Sequence, residues 1–318
     1  LKGIAQRIAA DIEKGYWNLY LFSQEIQIQQ QSLELAEQQL SESLERVAVG
    51  KLPDLELAAV NAEMASRQGS LIDAQSAYEQ ARLQFLYLLN PAVESIWDIH
   101  ISQLDVPFIP TDTLDSIASH EEVGMRYRAD LEQARLLLKK GELDITRTKN
   151  GLLPQLDFFI NLGRTSYSES FGSDAYPDLR SPFYQAVVGF TFEFPVPNRR
   201  ARAQLARATY NHEQQVLAIK NMEKLVQWDI RSAYTEVNRA RQQIKATKVT
   251  QEMQEKSLAA ELEKFRVGKS TNYLVLQAQR DFTASQLQQA RAMVAYLNAL
   301  IELYLSEGTL LERRGIHL

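Results

Sequence analysis

Apolar residues recur along much of the chain at alternating steps of three and four, the spacing that places them on one side of an α-helix. In the first half the stripe is interrupted near residue 50. Before the break it comprises Leu33, Ala36, Leu40, Leu44 and Val47, and after the break Leu71, Ala74, Tyr78, Ala81, Phe85 and Leu88. Alanine is frequent in the stripe and Gln, Glu and Ser flank it. We therefore predict long helices that contact one another closely along a narrow seam.

The break carries residues that end and start helices. Gly50 and Pro53 interrupt the first pattern, and Asp54 can cap the returning helix. In the second half Gly268 ends a helix, and the next can be capped by Ser270, Thr271 or Asn272.

The second outgoing helix is unusually long. Neither proline nor glycine occurs between Asn198 and Phe265, so this helix is predicted to extend for roughly 100 Å at 1.5 Å per residue. A globular core cannot use a rod of that length, whereas a coiled-coil scaffold or a tunnel can.

The two halves are copies of one unit. Residues 11–85 align without a gap onto residues 229–303 when every residue number is raised by 218. The matching turns are Val49-Gly50-Lys51 and Val267-Gly268-Lys269. A gapless register over this length predicts a tandem repeat of two helical hairpins.

Between the copies the hydrophobic period changes to two. The alternating apolar positions are Leu156, Phe158, Ile160 and Leu162, then Ala186, Val188, Phe190, Phe192 and Phe194. This alternation predicts two strands with one apolar and one wetter face. Each is about ten residues long, the length of a tilted membrane-spanning strand. A soluble hairpin packed on the helices is the alternative, but an isolated hairpin with a row of Phe is marginally stable in water.

These patterns divide the chain into six segments. They are a first helical hairpin over 1–90 with its turn near 50–53, an irregular linker over 91–122 that contains a short helical stretch near 112–119, a helix over 123–150, a membrane β-hairpin over 151–197 with an extracellular loop over 166–182, a second helical hairpin over 198–306 with its turn near 267–271, and a C-terminal tail over 307–318.

Composition narrows the function classes. The 318 residues have a net charge of −5, which gives no reason to expect nucleic acid as a partner. The sequence contains no run of eighteen apolar residues, so no transmembrane helix is predicted. Cysteine is absent, which excludes disulfides and thiolate sites. Leu1 begins inside a helical pattern, so we expect further chain upstream.

Candidate chemistry is sparse. The four histidines lie far apart and are interpreted as solvated surface residues; they are His100, His120, His212 and His317. No nucleophile–base pattern, phosphate-binding glycine loop or metal-ligand cluster is present. Neither an enzyme nor a cofactor is predicted.

Several segments together resemble the TolC family of outer-membrane efflux proteins. They are Phe265-Arg266-Val267-Gly268-Lys269 followed by Leu274-Val275-Leu276-Gln277-Ala278, its partner Val47-Ala48-Val49-Gly50-Lys51 followed by Leu55, the segment Leu153-Pro154-Gln155-Leu156 before the first strand, and Phe194-Pro195-Val196-Pro197 after the second. The resemblance covers essentially the whole chain and begins after the first β-hairpin of the family.

The resemblance implies a mostly α-helical protein with a small membrane β-barrel portion. Long antiparallel helical hairpins would form a trimeric α-barrel tunnel, and the β-hairpin would contribute to a shared outer-membrane barrel. The chain would then be the exit duct of a tripartite efflux or type I secretion system. It would extend from the Gram-negative outer membrane into the periplasm. Its partners would be two further copies, a periplasmic adaptor, indirectly an inner-membrane pump, and outer-membrane lipid.

The resemblance also implies site residues. The turns would dock the adaptor through Val49, Gly50, Lys51, Leu52, Arg266, Val267, Gly268, Lys269 and Ser270. The alternative is that each glycine is only a helix C-cap and each lysine only a helix-end charge. Gate candidates are Asp54, Glu56 and Gln277, although Leu274 and Gln277 stand where some relatives carry acids. On the strands, the barrel lumen would be faced by Asp157, Asn161, Thr191 and Glu193.

A soluble periplasmic coiled-coil scaffold, or the adaptor itself, is the alternative function. Adaptors also carry helical hairpins, but they add domains rich in short strands and glycine. Only two strands are predicted here, and a scaffold has no need of an amphipathic aromatic hairpin.

Overall fold

A computed structural model of the chain describes residues 1–50, 53–92, 98–99, 101–109, 114–164, 184–194 and 196–317. In chain order the elements are α1 (Lys2–Ala48), α2 (Leu55–Leu89), α3 (Ile117–Tyr127), α4 (Ala129–Asn150), β1 (Gln155–Arg164), β2 (Tyr184–Glu193), α5 (Arg199–Arg266), α6 (Asn272–Glu307) and α7 (Leu310–Arg313). Lys51, Leu52, His100 and the predicted loop 166–182 lie outside the described residues. Across the described ranges, no helix combines the length and the apolarity that crossing a membrane requires.

The residues fall into two compact units. The first unit comprises Leu1–Leu131 and Met222–Leu318, and the second comprises Glu132–Asn221. The first holds the helical hairpins and both of their turns. The second holds the β-hairpin with most of α4 and the first part of α5.

The predicted repeat is visible in the helix ends. Helix α1 ends at Ala48 and α5 at Arg266, while α2 ends at Leu89 and α6 at Glu307. Both pairs are separated by the same 218 positions that relate the two sequence copies. The residues that follow α2 and α6, Asn90 and Gly308, are both left-handed, with φ of 40° and 74°. Two copies of one unit therefore end their helices in the same way.

Glycine makes both hairpin turns possible. Gly50 and Gly268 have φ of 71° and 76°, a region that strains residues with a Cβ atom. Thr271 caps α6, because its side chain accepts a bond from the Leu274 amide. Asp54 occupies the N-cap position of α2 but makes no side-chain capping bond. Of the three candidates predicted at the second turn, Ser270, Thr271 and Asn272, Thr271 is the residue that caps the helix.

The core of the first unit is a seam along α5 and α6. Its α5 members recur at steps of four and three and are Val226, Ile230, Ala233, Val237, Ala240 and Ile244. They pack with Ala292, Tyr296, Ala299, Leu300 and Leu303 of α6. Each large apolar side chain buried here stabilises the fold by about 1.5–3 kcal/mol.

The predicted stripe on α1 forms only part of its buried face, because Ala36 is buried while Leu33, Leu40 and Val47 are half-buried. The buried residues in this part of α1 are Ser32, Ala36, Gln39 and Ser43, whereas Leu44 is 50% exposed. Polar side chains are tolerated there because they pair across the seam: Thr283 donates to Ser32 over 3.2 Å and Gln39 to Asn272 over 2.7 Å.

The middle and end of the chain also differ from prediction. The short helix predicted near 112–119 is α3, which begins at Ile117 and continues past the predicted linker to Tyr127, and the predicted helix over 123–150 is interrupted at Arg128. Arg128 is extended there, and its side chain bonds Asp130 and Asp229 over 2.7 and 2.6 Å. The predicted tail contains α7, in which Leu310 and Leu311 are buried.

Arg128, Asp130 and Asp229 form a cluster of ion pairs in the first unit. Partial burial acts to raise the pKa of Asp130, but the hydrogen bond and charge of Arg128 outweigh burial and hold this pKa below its ordinary value. The carboxylate is therefore ionised at neutral pH, and its ion pair with Arg128 lies where the extended backbone separates α3 from α4.

The two strands form an antiparallel hairpin in the second unit. The register pairs Leu156 with Phe192, Phe158 with Phe190, Ile160 with Val188 and Leu162 with Ala186, so these side chains share one face. The opposite face is more polar and pairs Asp157 with Thr191 and Asn161 with Val187. The apolar face is exposed in the single chain.

Candidate functional site

The two hairpin turns present apolar side chains to solvent. Val49 and Val267 occupy equivalent positions in the two turns and are 66% and 67% exposed. Exposed apolar residues also begin the returning helices: Leu55 on α2, and Tyr273 and Leu274 on α6. Both turns and the helix starts behind them therefore expose apolar side chains at corresponding places.

An arginine joins the ends of the two outgoing helices. The guanidinium of Arg46, on α1, lies 4.0 Å from the ring centroid of Phe265, on α5. Arg46 also donates a hydrogen bond to the Phe265 carbonyl over 3.1 Å. The contact satisfies a carbonyl at the end of α5 and adds a cation–π interaction. The two turns are therefore held together from within the chain.

Asn272 connects three helices just behind the turns. It is buried at the start of α6, and its side-chain oxygen accepts bonds from Gln39 over 2.7 Å and from Ser43 over 3.4 Å, both on α1. Its amide nitrogen donates to Glu56 of α2 over 3.2 Å. From the sequence, Asn272 is predicted only as a candidate helix cap. The aligned residue in the first copy is Asp54. This difference between the two copies was the sequence signal that could have marked Asn272.

Charges at the second turn are mostly paired. Lys264 bonds Glu261 over 2.9 Å and Arg266 bonds Glu263 over 2.8 Å. Ser270 donates to Glu261, and this bond with that from Lys264 lowers the pKa of the Glu261 carboxyl. Lys269 is exposed and has no ion pair within the described part of the chain. Among the described residues of the second turn, Lys269 is thus the cation that keeps free hydrogen-bonding capacity.

The predicted gate residues occupy different environments. Glu56 is half-buried and bonded to Asn272, whereas Asp54 and Gln277 are exposed. A buried carboxylate further along α2, Glu63, was missed from sequence. It bonds Arg280 of α6 over 2.6 Å and Arg67 over 2.7 Å. Arg280 donates both of its hydrogen bonds to Glu63, and these bonds raise the pKa of the Arg280 guanidinium above its ordinary value.

The four residues predicted for the lumen lie on one face of the β-hairpin. Asp157 pairs with Thr191, Glu193 with Gln155, and Asn161 with Val187. Gln155 donates to Asp157 over 2.8 Å. Phe159 also lies on this face and packs over Gly189, where a Cβ atom would be 2.7 Å from its ring.

One histidine is not a surface residue. His120 is buried and bonds the fully buried Glu307, which also accepts a bond from Thr309 over 2.9 Å. Arg313 of α7 lies 3.4 Å from the same carboxylate. The pairing joins α3, α6 and α7, and it spans 187 residues, so no local sequence pattern indicates it. In the ranges that the structure describes, no three His, Asp or Glu side chains group as metal ligands.

Replacing Asn272 with alanine is expected to lower the free energy of unfolding by about 1–3 kcal/mol, because the buried Gln39 and Ser43 and the half-buried Glu56 each lose a hydrogen bond. Circular dichroism during denaturant unfolding measures the change. The control is Asp54→Ala at the aligned position, which is exposed and should change stability by less than about 0.5 kcal/mol. Equal effects at the two positions would contradict the role given to Asn272.

Comparison with known proteins identifies relatives of the chain. The family model described as outer membrane efflux protein matches residues 126–309. The pyoverdine export outer membrane protein OpmQ of Pseudomonas putida is 25% identical over 309 residues. The alignment covers 92% of this chain and 60% of OpmQ, so the chain spans less than two thirds of that relative.

Solved structures share the fold. A membrane protein from Pseudomonas aeruginosa superposes with a TM-score of 0.81 at 16% identity, covering 96% of this chain and 69% of that one. The outer membrane protein VceC from Vibrio cholerae superposes with a TM-score of 0.78 at 16% identity, covering 95% of this chain and 70% of VceC. The arrangement of long helical hairpins and a β-hairpin is therefore that of known outer membrane proteins.

Proposed function

The chain belongs to the outer membrane efflux protein family, and from this membership we propose that it forms part of the exit duct of a tripartite efflux or secretion system. Substrate would pass through it across the periplasm and the outer membrane without chemical change. The family is one of outer-membrane channels and not of enzymes.

One observation carries the proposal. A hairpin of two ten-residue strands exposes an apolar face and continues directly into the 68-residue helix α5. Strands of ten residues match the thickness of the hydrocarbon core when tilted. A helix of 68 residues suits a tunnel wall in the periplasm. Joining both in one chain gives a membrane-spanning part and a periplasm-spanning part.

The proposed assembly is a homotrimer that lies in outer-membrane lipid. A two-stranded sheet leaves backbone groups unpaired at both edges, and lipid offers them no hydrogen bonds. Other hairpins must therefore complete a closed barrel. The helices also expose large apolar side chains that neighbouring copies would cover, including Ile72, Tyr87, Tyr210, Leu217 and Trp228.

Within this assembly we assign roles to the predicted site residues. The turns would bind a periplasmic adaptor through the exposed Val49 and Val267 and through Lys269, and the adaptor would connect the duct to an inner-membrane pump. The gate would lie just behind the turns, with Glu56 among its residues. The polar strand face with Asp157, Asn161, Thr191 and Glu193 would line the barrel lumen.

Photocrosslinking in intact cells tests the docking assignment. A photoreactive residue at Val267 of the full gene product is expected to capture a second protein, the adaptor, because this side chain is exposed on the proposed docking surface. The control is Val249 of α5, which is 56% exposed but lies away from the turns. Mass spectrometry identifies the captured proteins.

The two positions must give different products if the turns bind the adaptor. Val249 should capture nothing or a second copy of the chain. If Val267 gives the products of Val249 and no other, the turns do not bind an adaptor.

A further inference from the structure

Positive charge is concentrated at the ends of the β-hairpin. The segments before β1 and after β2, residues 145–154 and 196–208, contain six cationic residues and no acidic one. We name these residues the junction cluster: Arg147, Lys149, Arg199, Arg200, Arg202 and Arg207. All six are exposed and belong to the second unit.

The fold brings the two segments together. A cavity of about 650 Å³ is lined from both sides by Leu153 and Pro154 before β1 and by Asn198, Arg199 and Arg200 after β2. A second cavity of about 510 Å³ lies between Arg147 and Arg207. Asn198 also donates to the carbonyl of Gly151 over 3.2 Å, which ties the segments directly. The junction cluster is thus one surface built from two elements.

The charge of this surface is not balanced within the chain. Arg199, Arg200 and Arg202 stand at the beginning of α5, whose first turn contains no acidic residue. The helix dipole favours negative charge at this end, so arginines here add to its positive potential. Within the described residues none of these three arginines forms an ion pair, and Arg147 has only an exposed contact with Asp144 at 3.4 Å. One carboxylate lines each cavity, Glu193 the larger and Asp144 the smaller, so the six cations remain in excess.

Apolar side chains lie immediately beside the junction cluster. Leu153, Phe194 and Val196 are 63%, 62% and 75% exposed at the ends of the hairpin. Exposed apolar groups next to cations match the boundary of a bilayer, where acyl chains meet headgroups. Guanidinium groups bind phosphate oxygens in a bidentate manner, which makes arginine suited to this role.

We propose that the junction cluster binds the anionic headgroups of phospholipids in the periplasmic leaflet of the outer membrane. The inference rests on the proposed function, since it takes the hairpin to span that membrane with the helices on its periplasmic side. Arg199, Arg200 and Arg202 supply most of the binding, because the N-terminus of α5 adds to their potential. The phospholipid phosphate supplies the negative charge that the chain does not provide there.

Lipid retention by the purified full gene product tests the proposal. After extraction from the outer-membrane fraction, the protein is mixed with phosphatidylglycerol or phosphatidylcholine, and bound lipid is measured by native mass spectrometry. The test variant carries R199Q, R200Q and R202Q. The matched control carries K245Q, K248Q and K256Q, which remove the same charge from exposed positions of α5 in the first unit.

The unmodified protein is expected to retain phosphatidylglycerol roughly a hundredfold better than phosphatidylcholine, because each of the three arginines contributes about fivefold near an anionic surface. The arginine variant should lose this preference to within about twofold, whereas the lysine control should keep it. Equal retention of both lipids by the unmodified protein, or an unchanged preference in the arginine variant, would overturn the proposal. Absence of the unmodified protein from the outer-membrane fraction would instead overturn the proposed function, and this inference with it.

Discussion

Replacing Val188 with arginine is expected to remove the protein from the outer membrane, whereas the same replacement at the neighbouring Val187 is expected to be tolerated. Val188 lies at the middle of β2, paired with Ile160 on the apolar face. Arginine on a lipid-facing position at the bilayer centre costs about 2–4 kcal/mol, and a trimer would incur this cost in every copy. Immunoblotting of separated outer-membrane and soluble fractions measures the result.

Val187 provides a close control because the residue type and the strand are the same. It pairs with Asn161 on the polar face, where an arginine would reach water in the proposed lumen. The assignment of the two faces would be wrong if Val187→Arg abolished insertion and Val188→Arg did not. Equal tolerance of both replacements would contradict a membrane position for the hairpin.

Replacing Gly308 with alanine is expected to lower the free energy of unfolding by about 2–5 kcal/mol. Gly308 ends α6 with a φ of 74°, and a Cβ atom there would lie 2.9 Å from the Tyr127 carbonyl oxygen and 3.1 Å from the Arg128 Cα atom. Both atoms are backbone, so they cannot move aside as a flexible side chain would. The strain of the left-handed conformation and the close contact therefore add.

Gly268 separates these two contributions. Its φ of 76° is nearly the same, but no atom lies within 4 Å of the position of a Cβ atom. Gly268→Ala should therefore cost only the conformational strain, about 1–2 kcal/mol. Denaturant unfolding followed by circular dichroism compares the two variants. Similar losses for both would show that the contact between the ends of α6 and α3 is not tight.

The repeat and the hairpin could be predicted because their signals are local or periodic. The 218-residue displacement relates both the sequence copies and the ends of the helices. The alternation of apolar residues gave strands whose register places Phe158 opposite Phe190, with ring centroids 5.0 Å apart. The positions of both turns could be predicted from their glycines, because glycine adopts positive φ without strain.

The buried face of α1 could be predicted only in part from hydrophobicity. An apolar stripe shows that a helix has a contact face, but it does not show whether that face meets its own chain or another one. Here Ser32, Gln39 and Ser43 are buried within the chain, and Leu44 remains half exposed. Their burial depends on partners on α6, Thr283 and Asn272, which lie more than 200 residues away.

Polar contacts over long sequence separations account for the other differences. The break at Arg128 depends on its bond to Asp229, 101 residues further on, because arginine itself does not end a helix. His120 is buried because α6 supplies Glu307. Such pairs carry no periodic signal, so a single sequence does not indicate them.

The oligomeric mass of the full gene product, after detergent extraction from the outer-membrane fraction, tests the central claim most directly. Light scattering with correction for bound detergent gives the mass of the protein alone. A trimer recovered from the outer membrane is the predicted result, because an open hairpin must be completed by others in lipid. A monomer or dimer found only in the soluble fraction would contradict the channel and favour a soluble coiled-coil scaffold.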